Sequence, residues 1–158
     1  MKKVNRSIGL LVLVLLFPGS VWAAEAEETF LRIERSKQTE EMGLRVTSLG
    51  VFGTNKGKIG HMDLSYIESA DNGDGLALDF GAGVSFRAGA TFFLGAGFLL
   101  GYNSDNSDFI SAYYPQVGVV AHLTKTFALM VTGKRYYALY DNSEDENIVT
   151  FGLLFGSR

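Results

Sequence analysis

The C-terminal half of this chain alternates large apolar residues with small or polar ones, in one run after another. Within residues 91–102, one parity carries Phe92, Leu94, Ala96, Phe98, Leu100 and Tyr102. The other parity is mostly small, with glycine at 95, 97 and 101. A period of two is that of a β-strand with two unlike faces. A soluble sandwich would hide the apolar face in a core. Here nearly every segment has such a face behind an export signal, which favours a closed barrel surrounded by lipid.

The first residues have the order of a secretion signal. Three basic residues precede an apolar stretch over residues 8–17, which Pro18 and Gly19 interrupt before Ala23. That stretch is too short to cross a bilayer as a helix. The absence of cysteine excludes disulfides, so another device must hold the fold together. We predict a signal peptide over residues 1–23 and an outer-membrane β-barrel domain over residues 24–158.

Turn signals recur along the rest of the chain and predict the strand number. They fall at residues 36–40, 54–58, 69–75, 86–90, 103–108, 122–126 and 141–147. Seven connections predict eight strands, and an all-β, up-and-down antiparallel transmembrane β-barrel. The odd connections are mainly acidic, while the even ones carry only the basic residues Lys56, Lys58, Arg87 and Lys125. The two kinds of connection should therefore lie at opposite ends of the barrel.

Aromatic residues gather near the predicted strand ends, as in interfacial girdles. All seven tyrosines, Tyr114 among them, lie near the acidic connections, whereas Phe52 and several other phenylalanines lie near the basic turns or the C-terminus. The residues that we predict at the membrane interface are Tyr66, Tyr102, Tyr113, Tyr136, Tyr137 and Arg135.

Two segments fit the strand pattern less well. Residues 24–38 are charged and could form a helix or an arm. We predict a strand, because a barrel of seven strands would expose unpaired edges to lipid. Residues 44–52 change phase near Ser48–Val51, which predicts a β-bulge.

The whole predicted barrel domain resembles the small outer-membrane β-barrel proteins of Gram-negative bacteria, the eight-stranded OmpX-like and OmpA-like group. The final strand is similar to that family's assembly signal, carried here by Phe151, Gly152 and Phe155, although three residues follow the last phenylalanine. The resemblance implies the cell outer membrane, with the acidic connections outside the cell. It also implies a monomer that the barrel-assembly machinery inserts and that contacts outer-membrane lipids and lipopolysaccharide.

The predicted lumen holds polar residues that must be satisfied internally. They are Arg32, Glu34, His61, Asp63, Asp79, Gln116 and Lys134. Because buried charges must pair, we expect Arg32, Arg45 or Lys134 to neutralise Asp63 and Asp79. We interpret the set as a structural plug, since eight strands leave little room for a water-filled path. His61 and His122 have no third ligand at a recognisable spacing, so we predict no metal site.

Function is less constrained than location. Family members act as adhesion or resistance factors, membrane anchors or lipid-modifying enzymes, so the fold alone does not choose among them. We predict a structural or cell-surface interaction role without an open pore, a catalytic site or a cofactor. A lipid-modifying enzyme would need a nucleophile and a base near the outer rim, whereas both histidines lie toward the basic turns. A soluble lipocalin-like binder is the other alternative. The net charge of −3 gives no support for a nucleic-acid partner.

Overall fold

A closed barrel accounts for the whole part of the chain that the computed structural model describes, which is residues 27–40, 43–70, 72–105, 109–139 and 145–157. Its eight strands are β1 (Glu28–Ser36), β2 (Arg45–Asn55), β3 (Lys58–Glu68), β4 (Gly75–Ala88), β5 (Ala90–Asn103), β6 (Phe109–His122), β7 (Phe127–Tyr136) and β8 (Glu146–Ser157). Nowhere in these ranges is there a helix long and apolar enough to cross a bilayer. The predicted eight-stranded, up-and-down barrel is confirmed. The predicted signal peptide, residues 1–23, lies outside the described residues.

Each strand pairs antiparallel with its neighbours in sequence, and β1 also pairs with β8. The closing pair runs from Thr29 opposite Ser157 to Ser36 opposite Thr150. The segment that could have been a helix is therefore a strand, as predicted. Closure leaves no strand with a free row of N–H and C=O groups, which is what a bilayer demands, because lipid cannot form hydrogen bonds with them.

The connections differ in length between the two ends of the barrel. At one end, Lys56 and Gly57 form a two-residue turn with φ of 47° and 76°, the left-handed pair that matches strand twist in a tight hairpin. At the same end Gly89, with φ of 76°, joins β4 to β5, and residues 123–126 join β6 to β7. The acidic connections lie at the other end. Glu41, Asp71, Asp108, Asp141 and Glu144 in those loops lie outside the described residues.

The predicted bulge in β2 is wrong. Its register with β3 runs without interruption from Arg45 opposite Glu68 to Asn55 opposite Lys58. The apolar phase changes for a different reason: Val46 and Phe52 point inward and are buried, while Leu49 points outward and is half exposed. The barrel interior is itself apolar near both ends, so a strand with regular pairing can carry large apolar residues on both parities.

Every strand contributes apolar side chains to the outside of the barrel. Val84, Leu94 and Val117 are each about 60% exposed, and their neighbours along the strands repeat the pattern. Exposed apolar residues of the eight strands include Leu31, Ile33, Leu49, Tyr66, Leu76, Phe86, Phe98, Leu100, Leu129, Val131, Val149, Phe151 and Leu153. A continuous exposed surface of this kind would aggregate in water but matches hydrocarbon.

The interior is filled in three layers. An apolar layer near the acidic loops contains Leu44, Val46, Ile67, Ala77, Leu99, Ile110, Ala112, Tyr114, Tyr136, Leu139 and Ile148. A second apolar layer near the basic turns contains Phe30, Phe52, Ile59, Phe93, Val120, Ala128, Met130 and Leu154. Charged residues lie between these two layers. The lumen is therefore a packed core, as a narrow barrel allows.

Candidate functional site

The seven polar residues predicted for the lumen are all buried in the middle layer. Arg32 and Glu34 come from β1, His61 and Asp63 from β3, Asp79 from β4, Gln116 from β6 and Lys134 from β7. They share a layer because each occupies an inward position of its strand, at a similar height in the barrel. We call this set, together with Tyr114 and Thr150, the ionic layer.

One half of the ionic layer centres on Arg32. Its Nε donates to Asp63 Oδ1 at 3.0 Å, and its Nη2 contacts the other carboxylate oxygen of Asp63. His61 Nδ1 lies 2.8 Å from Asp63 Oδ2 and 2.9 Å from Arg32 Nη2. On the other side of the imidazole, Nε2 lies 3.2 Å from Gln116 Nε2. A two-point contact between guanidinium and carboxylate fixes the orientation of both groups, as well as their charge balance.

The other half centres on Lys134. Its Nζ donates to Asp79 Oδ2 at 2.8 Å and to Glu34 Oε1 at 3.2 Å. Tyr114 donates its hydroxyl to Asp79, and Lys134 Nζ lies 5.0 Å from the centre of the Tyr114 ring. Thr150 donates to Glu34 Oε2 at 3.2 Å, and Arg32 Nη1 lies 3.7 Å from that same oxygen. Glu34 therefore links the two halves.

The pairing of β3 with β4 explains why two cations are needed. Asp63 and Asp79 lie directly opposite each other, an arrangement in which like charges repel. Arg32 neutralises one carboxylate and Lys134 the other. Arg45, the third cation considered for this role, is not a partner. It lies on the outward parity of β2, with its Nη1 3.9 Å from Glu68 Oε1.

Sequence reasoning missed three aromatic residues of the interior, Tyr114, Tyr136 and Phe52. Tyr114 and Tyr136 were predicted among interfacial aromatics, but both are 1% exposed and their rings meet edge to face at 5.0 Å. Arg135 points outward, so Tyr136 must point inward, because successive side chains of a strand alternate. Strand parity does predict Thr150 to point inward with Gly152, and the structure places it against Glu34. Phe52 is also an interior residue and not part of a girdle.

The other predicted interfacial residues lie on the outside of the barrel. Tyr66, Tyr102 and Tyr113 are exposed at the acidic-loop end. Tyr113 stacks on Tyr137 with ring centres 5.1 Å apart, and the Arg135 guanidinium lies 5.3 Å from the Tyr137 ring. These residues form an aromatic rim, and Tyr66 donates its hydroxyl to Asp74 in the adjacent loop.

The basic-turn end has a smaller polar arrangement. Arg87 donates to Glu28 Oε1 at 3.0 Å, and His122 Nε2 lies 3.1 Å from Thr91 Oγ1. A cavity of about 260 Å³ opens here, lined in part by Glu27, Glu28, Arg87 and Thr91. Within the described ranges, no three His, Cys, Asp or Glu side chains are grouped so as to hold a metal ion.

The predicted assembly signal occupies the closing strand. Phe151 and Phe155 point outward, and the Phe155 ring lies 5.1 Å from that of Phe127 on β7. Gly152 points inward, where a Cβ atom would lie 3.3 Å from Glu34 Cβ. The final strand thus has aromatic side chains on its outward face, while its inward face toward the ionic layer carries the small residue Gly152.

Comparison with known proteins finds a similar fold. No family model matches the chain, and no curated protein matches it. A solved structure described as "De novo design of transmembrane beta-barrels" superposes with a TM-score of 0.57 at 16% identity, covering 83% of this chain and 96% of that one. A second de novo designed protein, solved in solution by NMR, has a TM-score of 0.49 at 14% identity, covering 83% and 94% respectively. The first similarity shows an eight-stranded barrel like those of transmembrane barrels.

Proposed function

We propose that this chain is a small, monomeric, integral barrel of a Gram-negative outer membrane, with a structural or cell-surface interaction role. The observation that carries the proposal is the belt of exposed apolar side chains on all eight strands. In water, an apolar surface of this extent would promote aggregation. In a bilayer, the same surface contacts the acyl chains of the lipids.

The choice of the outer membrane rests on the sequence. The export-signal pattern, the even strand number and the aromatic C-terminal strand all resemble the OmpX-like and OmpA-like group. A barrel of that group would have both of its termini and its short basic turns in the periplasm. The acidic loops would then face the outside of the cell, where they are the surface available to partners.

The filled lumen supports a role without transport or catalysis. Among the described residues, two apolar layers lie between the ionic layer and the barrel ends. A lipocalin-like binder would need an apolar interior with room for a ligand, whereas this interior is occupied by side chains. The buried charges are best understood as groups that hold the strands in register.

Heat-modifiability tests the proposal directly. Outer-membrane fractions from cells expressing the full chain are run unboiled and boiled on a denaturing gel. We expect faster migration of the unboiled sample, because a closed barrel resists detergent unfolding. Recovery of the protein in the soluble periplasmic fraction without a shift would contradict a lipid-facing belt.

The orientation has its own test, because the chain contains no cysteine. Ser104→Cys introduces a thiol at an exposed position of an acidic loop, and Thr124→Cys is the matched variant in a basic turn. A membrane-impermeant maleimide should label the first in intact cells and the second only after the outer membrane is permeabilised. The reverse pattern would show that the acidic loops face the periplasm.

A further inference from the structure

On the outside of the barrel, β7, β1 and β2 carry basic residues at the acidic-loop end, and β8 lies between β7 and β1. We define this basic collar as Arg135 on β7, Arg35 on β1, Lys37 just beyond β1, and Arg45 on β2. The side chains of Arg35 and Arg135 are 58% and 49% exposed, and that of Arg45 is 33% exposed. All four lie on the outside of the barrel.

The strand register brings three of these residues to nearby positions along β8. Arg135 lies opposite Asn147 of β8, and Arg35 lies opposite Phe151 of the same strand. Lys37 donates its backbone N–H to Val149, between those two positions. These three cations therefore fall within four residue steps along β8, about 13 Å at the usual strand rise. Arg45 is linked to them through Glu68, which Arg35 also contacts. They are neighbours in space although they come from both ends of the sequence.

The other half of the circumference differs in chemistry at the same end. There the outward residues near the loops are Tyr66, Leu76, Tyr102, Phe109 and Tyr113, all exposed. A general need for interfacial anchors would distribute cations around the ring. The outward cations of this end therefore lie on β7, on β2 and on or just beyond β1, and not on β3 to β6.

Carboxylates of the rim pair with the three arginines of the collar. Glu68 is shared, with Oε2 3.5 Å from Arg35 and Oε1 3.9 Å from Arg45. Asp145 lies 3.2 Å from Arg135. The guanidinium groups, though paired, stay partly exposed on the outside of the barrel, just above Ile33 and Val149 of the apolar belt. Exposed guanidinium groups at this depth suit phosphate, which they can bind through two parallel hydrogen bonds.

We propose that the basic collar binds the phosphate groups of an anionic glycolipid in the outer leaflet of the membrane. The choice of an outer-leaflet lipid rests on the proposed function, which puts the acidic loops outside the cell. The apolar belt below the collar would hold the acyl chains, while Arg35, Arg45 and Arg135 hold the phosphates. Binding of this kind is direct and requires no divalent ion between the protein and the lipid.

The test uses protein purified in a non-ionic detergent from membranes of cells expressing the full chain. Native mass spectrometry measures binding of lipid A with both phosphates and of the same lipid A after phosphate removal. The triple variant R35Q/R45Q/R135Q should bind the phosphorylated lipid at least about tenfold more weakly, since each basic residue near an anionic headgroup contributes substantially. The triple variant K56Q/K58Q/K125Q removes three cations from the opposite end and should bind within about twofold of the parent.

Two further measurements keep the proposal testable if the collar variant does not fold. Glu68→Gln removes the carboxylate that two arginines share, so it should bind the phosphorylated lipid more tightly. Binding by the parent protein should also persist in a chelator of divalent ions. Any one of three results would overturn the collar as a phosphate site. The parent could bind phosphorylated and dephosphorylated lipid A equally, both triple variants could lose lipid binding to the same extent, or the chelator could abolish binding by the parent.

These outcomes are separable from failure of the proposed function. If the chain is not a membrane barrel, the heat-dependent shift is absent from membrane fractions. If only the collar proposal fails, the parent remains a heat-modifiable barrel but does not distinguish phosphorylated from dephosphorylated lipid.

Discussion

Replacement of Lys134 by methionine tests whether the ionic layer holds the barrel together. Lys134 donates to Asp79 at 2.8 Å and to Glu34 at 3.2 Å, and its side chain is fully buried. Two hydrogen bonds to charged groups are worth about 1.5–3 kcal/mol each. Removal of one partner from a buried ion pair typically costs about 3–5 kcal/mol, because the remaining charge stays in a medium of low dielectric constant.

The expected loss is therefore about 3–5 kcal/mol in the free energy of unfolding, or about 150- to 5,000-fold in the folding equilibrium. With a urea dependence of about 2 kcal/mol per molar, the midpoint should fall by about 1.5–2.5 M. The assay is urea unfolding of the barrel in lipid vesicles, with the folded fraction read from the unboiled gel. Lys125→Met, in an exposed turn, is the matched control and should leave the midpoint unchanged.

A double-mutant cycle separates the lost ion pair from loss of packing. Because Asp79→Asn removes the charge that Lys134→Met leaves unpaired, the double variant should be more stable than the sum of the two single losses by about 1–3 kcal/mol. A Lys134→Met barrel within about 1 kcal/mol of the parent would refute the reasoning, since the buried pair would then be contributing far less than expected. Simple additivity in the cycle would refute it as well.

Three further predictions follow from the belt, the glycines and the filled lumen. Phe98→Arg places a charge at mid-height on the lipid face of β5, where the parent side chain is 49% exposed. It should lower the free energy of unfolding in lipid vesicles by about 2–4 kcal/mol. The control Leu123→Arg, in a turn, should have little effect. A Cβ atom at Gly97 would overlap the Tyr114 ring and the Phe80 carbonyl, so Gly97→Ala should lower the yield of heat-modifiable barrel. Gly133→Ala should leave that yield unchanged, because its nearest contact would be 3.8 Å from a Cβ atom. Planar bilayers containing the purified protein should show no stable single-channel conductance; steps like those of an open porin would contradict the layered lumen.

Local alternation was enough to predict the strands, their number and their order, because side-chain parity and turn chemistry are encoded within a few residues. It also brought Asp63 and Asp79 together, since a short connection fixes a hairpin register. The sequence could not identify which cation neutralises which carboxylate, as that depends on strands that meet only on closure. Arg45 and Lys134 are both cations near strand ends. The parity of each strand decides that Lys134 points inward and Arg45 outward.

The aromatic residues show a second limit of sequence reasoning. Tyr136 and Tyr137 are adjacent and chemically identical, so composition assigns both to an interface. The structure separates them, with Tyr136 in the apolar layer and Tyr137 in the rim. In β2, apolar residues on both parities looked like a shift in register. An interior that is apolar near both ends produces the same pattern without any break in pairing.

The ionic layer also links strand closure to the neutralisation of buried charge. Glu34 on the first strand receives its donors from Lys134 and Thr150, which lie 100 and 116 residues further along the chain. Until β7 and β8 arrive, the carboxylate of Glu34 lacks both donors, and Asp79 lacks Lys134. An open sheet in a membrane would therefore carry uncompensated charge as well as free edges. A barrel that has lost or misplaced its last strands would leave Glu34 without Lys134 and Thr150, so these contacts favour the complete barrel over a partial one.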